Sequence, residues 1–214
     1  GVTDIVSISA CGSLKEQYVP GHFVAVDQFI DRTVARESTF FGPGMVAHVS
    51  MARPVCSRLS ALAAEAAEGA GVTLHRGGTY LAMEGPQFSS LAESQLYRQW
   101  GCDVIGMTAM PEAKLAREAE LPYATLAMVT DYDCWREAEE AVNVTNVLEI
   151  MGRNSALARR TVVELALRLA EIPRTPSPDG IDTCLDHALI TAPAARDPAM
   201  LEKLQVIAGR ALDG

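Results

Sequence analysis

The chain has 214 residues, of which 49% are hydrophobic and 21% charged, with a formal net charge of −9 and a pI near 4.9. That balance describes an ordinary globular protein with room for one sizeable core and excludes a disordered chain. An acidic surface also argues against gripping a nucleic-acid backbone, which takes clustered Lys and Arg to displace counterions, so small molecules or other proteins are the expected partners.

Gly1 is followed almost at once by an apolar strand, residues 4–8 (DIVSI), an abrupt start that predicts further sequence before it. A turn of small residues, 10–13 (ACGS), comes next, and 22–30 (HFVAVDQFI) reads as one strand rich in Val, Phe and Ile. From 54 to 70 the period is helical: Val55, Leu59, Leu62, Ala63 and Ala66 share one face, and Gly71 stops it. Residues 78–83 (GTYLAM) read as a strand leading into 84–88, and 90–100 as a helix closed by Gly101. Residues 103–107 (DVIGM) form a strand, and Pro111 opens a short helix through Ala119, since proline is tolerated in a first turn.

The run 123–129 (YATLAMV) is apolar on both faces and predicts a central strand. A long helix follows over 144–172, carrying Val147, Leu148, Met151, Leu157, Val162 and Leu165. Residues 173–180 (PRTPSPDG) are a Pro-rich linker with too little chain after it to fold alone, and 198–212 read as one terminal amphipathic helix. Strands alternating with helices predict an α/β fold: a single domain with a mixed central β-sheet flanked by helices.

Cys11, Cys56, Cys102, Cys134 and Cys184 are odd in number and widely spaced, with no C-x-x-C pair. A disulfide framework and a structural zinc site are therefore not expected, and a reduced, cytoplasmic setting is. No apolar run approaches the roughly 20 residues of a membrane span, so no membrane partner is expected.

In an open α/β sheet, ligands gather at the carboxyl ends of strands. Polar clusters fall at such ends at 9–13, 107–112 and 130–135, and 84–90 (EGPQFSS) adds a carboxylate, an aromatic ring and hydroxyls. Asp131 and Asp133 stand two apart after an apolar strand; strand geometry would point both to one side. Such a pair suits a metal, acid–base chemistry or hydrogen bonds to a heterocycle, and apolar surroundings would hold a carboxyl protonated. The same spacing equally suits a solvated turn with an aspartate cap. Thr108, between a strand and a helix start, reads either as an anion contact or as a cap. His48, in the loop 44–54, reads on its own as a surface residue.

Taken together, SACGSL (9–14), DQFIDRT (27–33), MEGPQFSSLAES (83–94), DVIGMTAMPEAKLARE (103–118) and VTDYDCW (129–135) resemble, in order and spacing, the 5′-methylthioadenosine phosphorylases of the trimeric purine nucleoside phosphorylase superfamily. The resemblance extends to about residue 172 and fades in the tail. It implies phosphorolysis of methylthioadenosine to adenine and 5-methylthioribose 1-phosphate, with inorganic phosphate as co-substrate and no cofactor or metal. Asp131 would donate to the purine N7 and Asp133 would hold the 6-amino edge. Phe88 would pack on the ring, with Ser89 beside it.

Thr108 and the Ser9–Ala10 backbone would contact phosphate, and Met107 would line the ribose. Val144 and Val147 would border the methylthio group, and His48 would reach in from a neighbouring subunit of a homotrimer. Ser9 stands where relatives carry Thr and keeps the hydroxyl. The family's N-terminal Gly-rich turn and its Arg-His pair, both phosphate-holding, have no counterpart here. Residues 1–214 are therefore expected to form a nucleoside phosphorylase domain lacking its N-terminal portion.

Phosphorylases of 6-oxopurines use a Glu and an Asn for the base, whereas two aspartates suit the donors of a 6-amino group. A methylthioinosine phosphorylase, a water-using nucleosidase and a non-catalytic fragment stay open on sequence.

Overall fold

The computed structural model of this chain describes residues 1–136 and 144–212; the side chains of residues 144–147 also lie outside the description. Its centre is the apolar run at 123–129, which becomes β7 (Tyr123–Asp131), buried along its whole length up to a half-buried Asp131. β1 (Ile5–Ser13) lies parallel to it, from Ile5 opposite Tyr123 to Cys11 opposite Val129. β2 (Phe23–Ala25) pairs antiparallel on the other side. With β3 (Gln28–Arg32), β4 (Leu74–Arg76), β5 (Thr79–Met83) and β6 (Val104–Gly106) the strand order is β3-β5-β6-β1-β7-β2-β4. Both parallel and antiparallel ladders occur, so the sheet is mixed as predicted.

Alternation along β7 divides its side chains between two cores. Leu126 and Met128 join Phe23, Ala63, Ala66 and Leu165 under α1 (Ser57–Gly69) and α4 (Val144–Glu171). Ala127 and Val129 join Cys11, Val24, Tyr80 and Val104 on the opposite face, where α3 (Glu112–Glu118) adds Ala113 and Ala116. Each fully buried Phe, Leu or Val here stabilises the fold by about 1.5–3 kcal/mol. α2 (Leu91–Gln99) starts where its sequence dictates: Ser90 and Glu93 exchange hydrogen bonds as a capping box.

Two predicted elements differ in the structure. Residues 22–30 are not one strand, because the chain bends at Val26–Asp27 and passes from β2, next to the β4 edge, to β3 at the opposite edge. The N–H groups of Asp27 and Gln28 both reach the Gly78 carbonyl, at 3.2 and 3.3 Å. β4 and β5 bend in step at Gly77 and Gly78, whose φ of +80° and +154° a side chain would resist. These paired bends join the edges and curl the sheet. Residues 10–13 are likewise not a turn but the end of β1. A register shift between Cys11 and Gly12 lets the strand leave β7 and pair antiparallel with β6.

The segment after α4 folds back to build a second layer. α5 (Pro198–Leu212) contributes Leu204 and Ala208 to a satellite core with Phe41, Met45, Leu185 and Ala188. Among the described residues no helix is long and apolar enough to cross a membrane, and all five cysteines are free.

Candidate active site

β1 and β7 run parallel and end together, so their carboxyl ends make one rim. Asp131 closes β7 there. Its Oδ1 accepts the Asp133 N–H at 2.8 Å, and its Oδ2 lies 2.7 Å from the Thr130 hydroxyl. That hydroxyl is also 3.1 Å from the Cys11 carbonyl. Having one proton, Thr130 serves the carboxylate when Asp131 is ionised and Cys11 when Asp131 carries a proton of its own.

Asp133 is not on the strand. It sits at φ +53° in a turn closed by the Asp131 side chain, and the two carboxylates converge through that turn rather than through strand alternation. Close packing against β1 requires Gly12, where a Cβ would stand 2.9 Å from Asp131 Oδ1 and 3.4 Å from Asp133 Cβ. Ser94, buried on α2, donates to Asp133 Oδ2 at 2.5 Å.

Burial pushes the Asp131 carboxyl above its ordinary range, against the weaker pull of Thr130 and the Asp133 N–H. Burial likewise raises Asp133; the Ser94 bond opposes this and the charge of Asp131 adds to it. The largest influences on both groups are burial and hydrogen bonds rather than a cation. Two half-buried acids held toward their neutral forms form a set that both donates and accepts, as a ring nitrogen beside an exocyclic amine requires.

The rest of VTDYDCW anchors this turn. Tyr132 and Trp135 enter a third core with Leu14, Leu81 and Tyr97. The Trp135 indole donates to the Ser13 carbonyl at 2.7 Å and lies 3.7 Å under the Arg98 guanidinium. Behind β7, Asn154 of α4 donates to the Val129 carbonyl at 3.0 Å.

Phe88 and Ser89 come to this rim on the loop before α2. Ser89 is buried, its carbonyl accepts from Cys134 Sγ at 3.2 Å, and its hydroxyl bears on the Asp133 carboxyl. The Phe88 ring remains 58% exposed, available to cover a flat ligand. Ser9, Ala10, Met107 and Thr108 are also brought together. The Ser9 and Thr108 hydroxyls both bear on the Tyr80 phenol, and the Ala10 carbonyl lies beside Gly106, the residue before Met107. Thr108 is exposed and is not the helix cap, a position that Pro111 occupies. Ser9 Oγ, by contrast, is buried in the curl of the sheet.

His48 belongs to the other layer: it is exposed, and its N–H donates to the Ala188 carbonyl at 2.8 Å. The side chains of Val144 and Val147 lie outside the described residues. Among the described residues, no group of three or more His, Cys, Asp or Glu could hold a metal.

Sequence reasoning missed Ser94, Thr130 and Arg36. Arg36 donates to the Met107 and Met110 carbonyls at 2.6 Å each and to the Glu84 carbonyl at 2.8 Å, and it pairs with the Glu84 carboxylate. It thereby ties the ends of β5 and β6 together. For Ser94 a signal existed, a polar residue on the inner face of a helix; for Arg36 none did.

A family model described as the phosphorylase superfamily matches residues 1–167, most of the chain and every candidate residue above. The chain belongs to the phosphorylase superfamily. It is 61% identical over 214 residues to the S-methyl-5′-thioadenosine phosphorylase of Cereibacter sphaeroides, spanning 100% of this chain and 73% of that relative. It is 56% identical over 212 residues to the enzyme of the same name from Rhodospirillum rubrum, spanning 99% and 72%.

Among solved superfamily structures, a methylthioadenosine phosphorylase from an antarctic soil metagenomic library superposes with a TM-score of 0.89 at 43% identity, covering 97% of this chain and 72% of that one. The Schistosoma mansoni methylthioadenosine phosphorylase in complex with adenine superposes at 0.83 and 33% identity, covering 89% and 74%. The curled mixed sheet and its flanking helices are thus the superfamily's fold.

Proposed function

We propose that this chain catalyses phosphorolysis of 5′-methylthioadenosine, releasing adenine and 5-methylthioribose 1-phosphate. The observation that carries the reading is the half-buried Asp131–Asp133 pair, held toward its neutral forms by burial where β1 and β7 end together. The names of the relatives, and the adenine held by the Schistosoma structure, agree with a base-binding role for it.

The bond between the sugar C1′ and the purine N9 breaks, its electron pair leaves with the base, and phosphate oxygen forms the new bond to C1′. The sugar passes through an oxocarbenium-like state. Asp131 carries the proton that neutralises the departing base at N7, and a positioned acid of this kind contributes about 10²–10⁴ in rate. Asp133, oriented by Ser94, accepts from the 6-amino group. Phe88 covers the base and Ser89 borders it. Met107 lines the ribose, and Thr108 with the Ser9–Ala10 backbone faces phosphate. Val144 and Val147 border the methylthio group.

Phosphate is the co-substrate, and no cofactor or metal takes part. Residues 1–214 act as one nucleoside phosphorylase domain. The working unit is a cytoplasmic homotrimer in which His48, remote from the aspartates of its own chain, completes a neighbour's site. Adenine release from methylthioadenosine should require inorganic phosphate and yield the sugar 1-phosphate in equal amount. Release at the same rate without phosphate, with free sugar as product, contradicts the proposal.

A further inference from the structure

Behind the phosphate side of the rim lies a buried tyrosine that the mechanism above does not use. Tyr80, on β5, is fully buried, and its hydroxyl presses on the backbone of Gly106. A Cβ on Gly106 would stand 1.9 Å from the Tyr80 oxygen and 3.3 Å from the Ala10 carbonyl, so residue 106 must be glycine for the phenol to pass. Ser9 and Thr108 are the residues whose hydroxyls bear on the phenol. Yet neither the Tyr80 hydroxyl nor Ser9 Oγ completes a hydrogen bond with any described residue.

Leaving a buried hydroxyl unpaired costs about 1–3 kcal/mol. Phenylalanine would fill the same space without that cost, so packing alone does not explain the tyrosine. Burial also raises the phenol's ionisation above its usual range, which keeps it a neutral group able to give one proton and accept another.

We infer that Tyr80 is a positioning residue for phosphate: its hydroxyl accepts from Ser9, donates to the Thr108 hydroxyl, and so commits the Thr108 proton to an anion at the rim. Ser9 and Tyr80 are closed off from solvent and Thr108 is open to it, so the chain of donors has one outlet. Hydroxyls in series polarise one another, and an anion at the end of the row aligns all of them. Without the phenol, the Thr108 hydroxyl turns freely and loses its bias toward the anion.

This inference rests on the phosphorolysis reading, and its test separates the two. In Tyr80→Phe the KM for phosphate should rise about fivefold, the value of one lost hydrogen bond between neutral groups, while the KM for methylthioadenosine stays within about twofold. The melting temperature without phosphate should hold or rise, because an unpaired hydroxyl has been removed, and stabilisation by added phosphate should shrink. Ser9→Ala should raise the phosphate KM in the same sense. The double variant should be no worse than the weaker single one, because one relay is broken once.

A phosphate KM unchanged in Tyr80→Phe, or one raised only in step with the nucleoside KM, overturns the role of Tyr80 and leaves the phosphorolysis reading intact. A wild-type chain that releases adenine at the same rate without phosphate, or not at all, overturns both.

Discussion

The strand-end rim and the C-terminal layer treat charge in opposite ways. In the layer, acidic groups are paired with a cation: Glu120 and Asp186 both meet Arg210. Their work is to fasten α5 and the satellite core of Phe41, Met45 and Leu204 to α3. At the rim, Asp131 and Asp133 lie half-buried within a turn of each other and, among the described residues, are served by hydroxyls and a backbone N–H group. A fold that needed those positions only for stability would pair them or replace them. The difference marks which charges hold the molecule together and which are reserved for a ligand.

The largest test of that contrast is Asp131→Asn. The amide keeps the shape, accepts from the Asp133 N–H and donates to Thr130, but carries no acidic proton. We expect kcat/KM to fall by about 10²–10⁴ while thermal stability at neutral pH holds or rises; a large loss of stability would put Asp131 with the structural charges. Leu204→Ala should do the converse, lowering unfolding free energy by about 2–5 kcal/mol in a denaturant titration by opening a cavity in the satellite core.

Stability should also depend on pH through the rim. The carboxyls of Asp131 and Asp133 are raised on folding, so the native state binds more protons than the unfolded chain between the ordinary carboxylate pKa and the raised values. Their contribution to stability is therefore full below that window and declines as pH rises through it. Asp131→Asn should flatten this slope in melts recorded across the window.

Ser94→Ala removes the hydroxyl that orients Asp133; the nucleoside KM should rise several-fold, by about 1 kcal/mol of binding, and the phosphate KM should stay put. Arg210→Ala should matter least to activity. Its loss should leave kcat/KM within about twofold and lower unfolding free energy by about 1–2 kcal/mol, because the Arg210 side chain is 48% exposed while that of its partner Glu120 is 9% exposed.

Much of this was legible in the sequence where a signal is local. An apolar run with no polar face gave the central strand, Gly101 gave the end of α2, and polar clusters after strands gave the rim. What escaped depends on distant neighbours. The bend at Val26–Asp27 makes sense only beside Gly77 and Gly78, which turn in step with it. The short β4 has too few residues for a periodicity. The small residues at 10–13 resemble a turn because Gly12 must yield space to Asp131, a demand made by a segment far along the chain. Arg36 works mostly through backbone carbonyls, with one carboxylate 48 residues away, and no local side-chain pattern announces either.

The aspartate pair is the centre of the account, and the base it selects is the most direct test. Initial rates at saturating phosphate should give a kcat/KM for methylthioadenosine about a hundredfold or more above that for methylthioinosine, because a 6-oxo group faces acceptors where the 6-amino group offered donors. Equal efficiency on the two, or a preference for methylthioinosine, would contradict it.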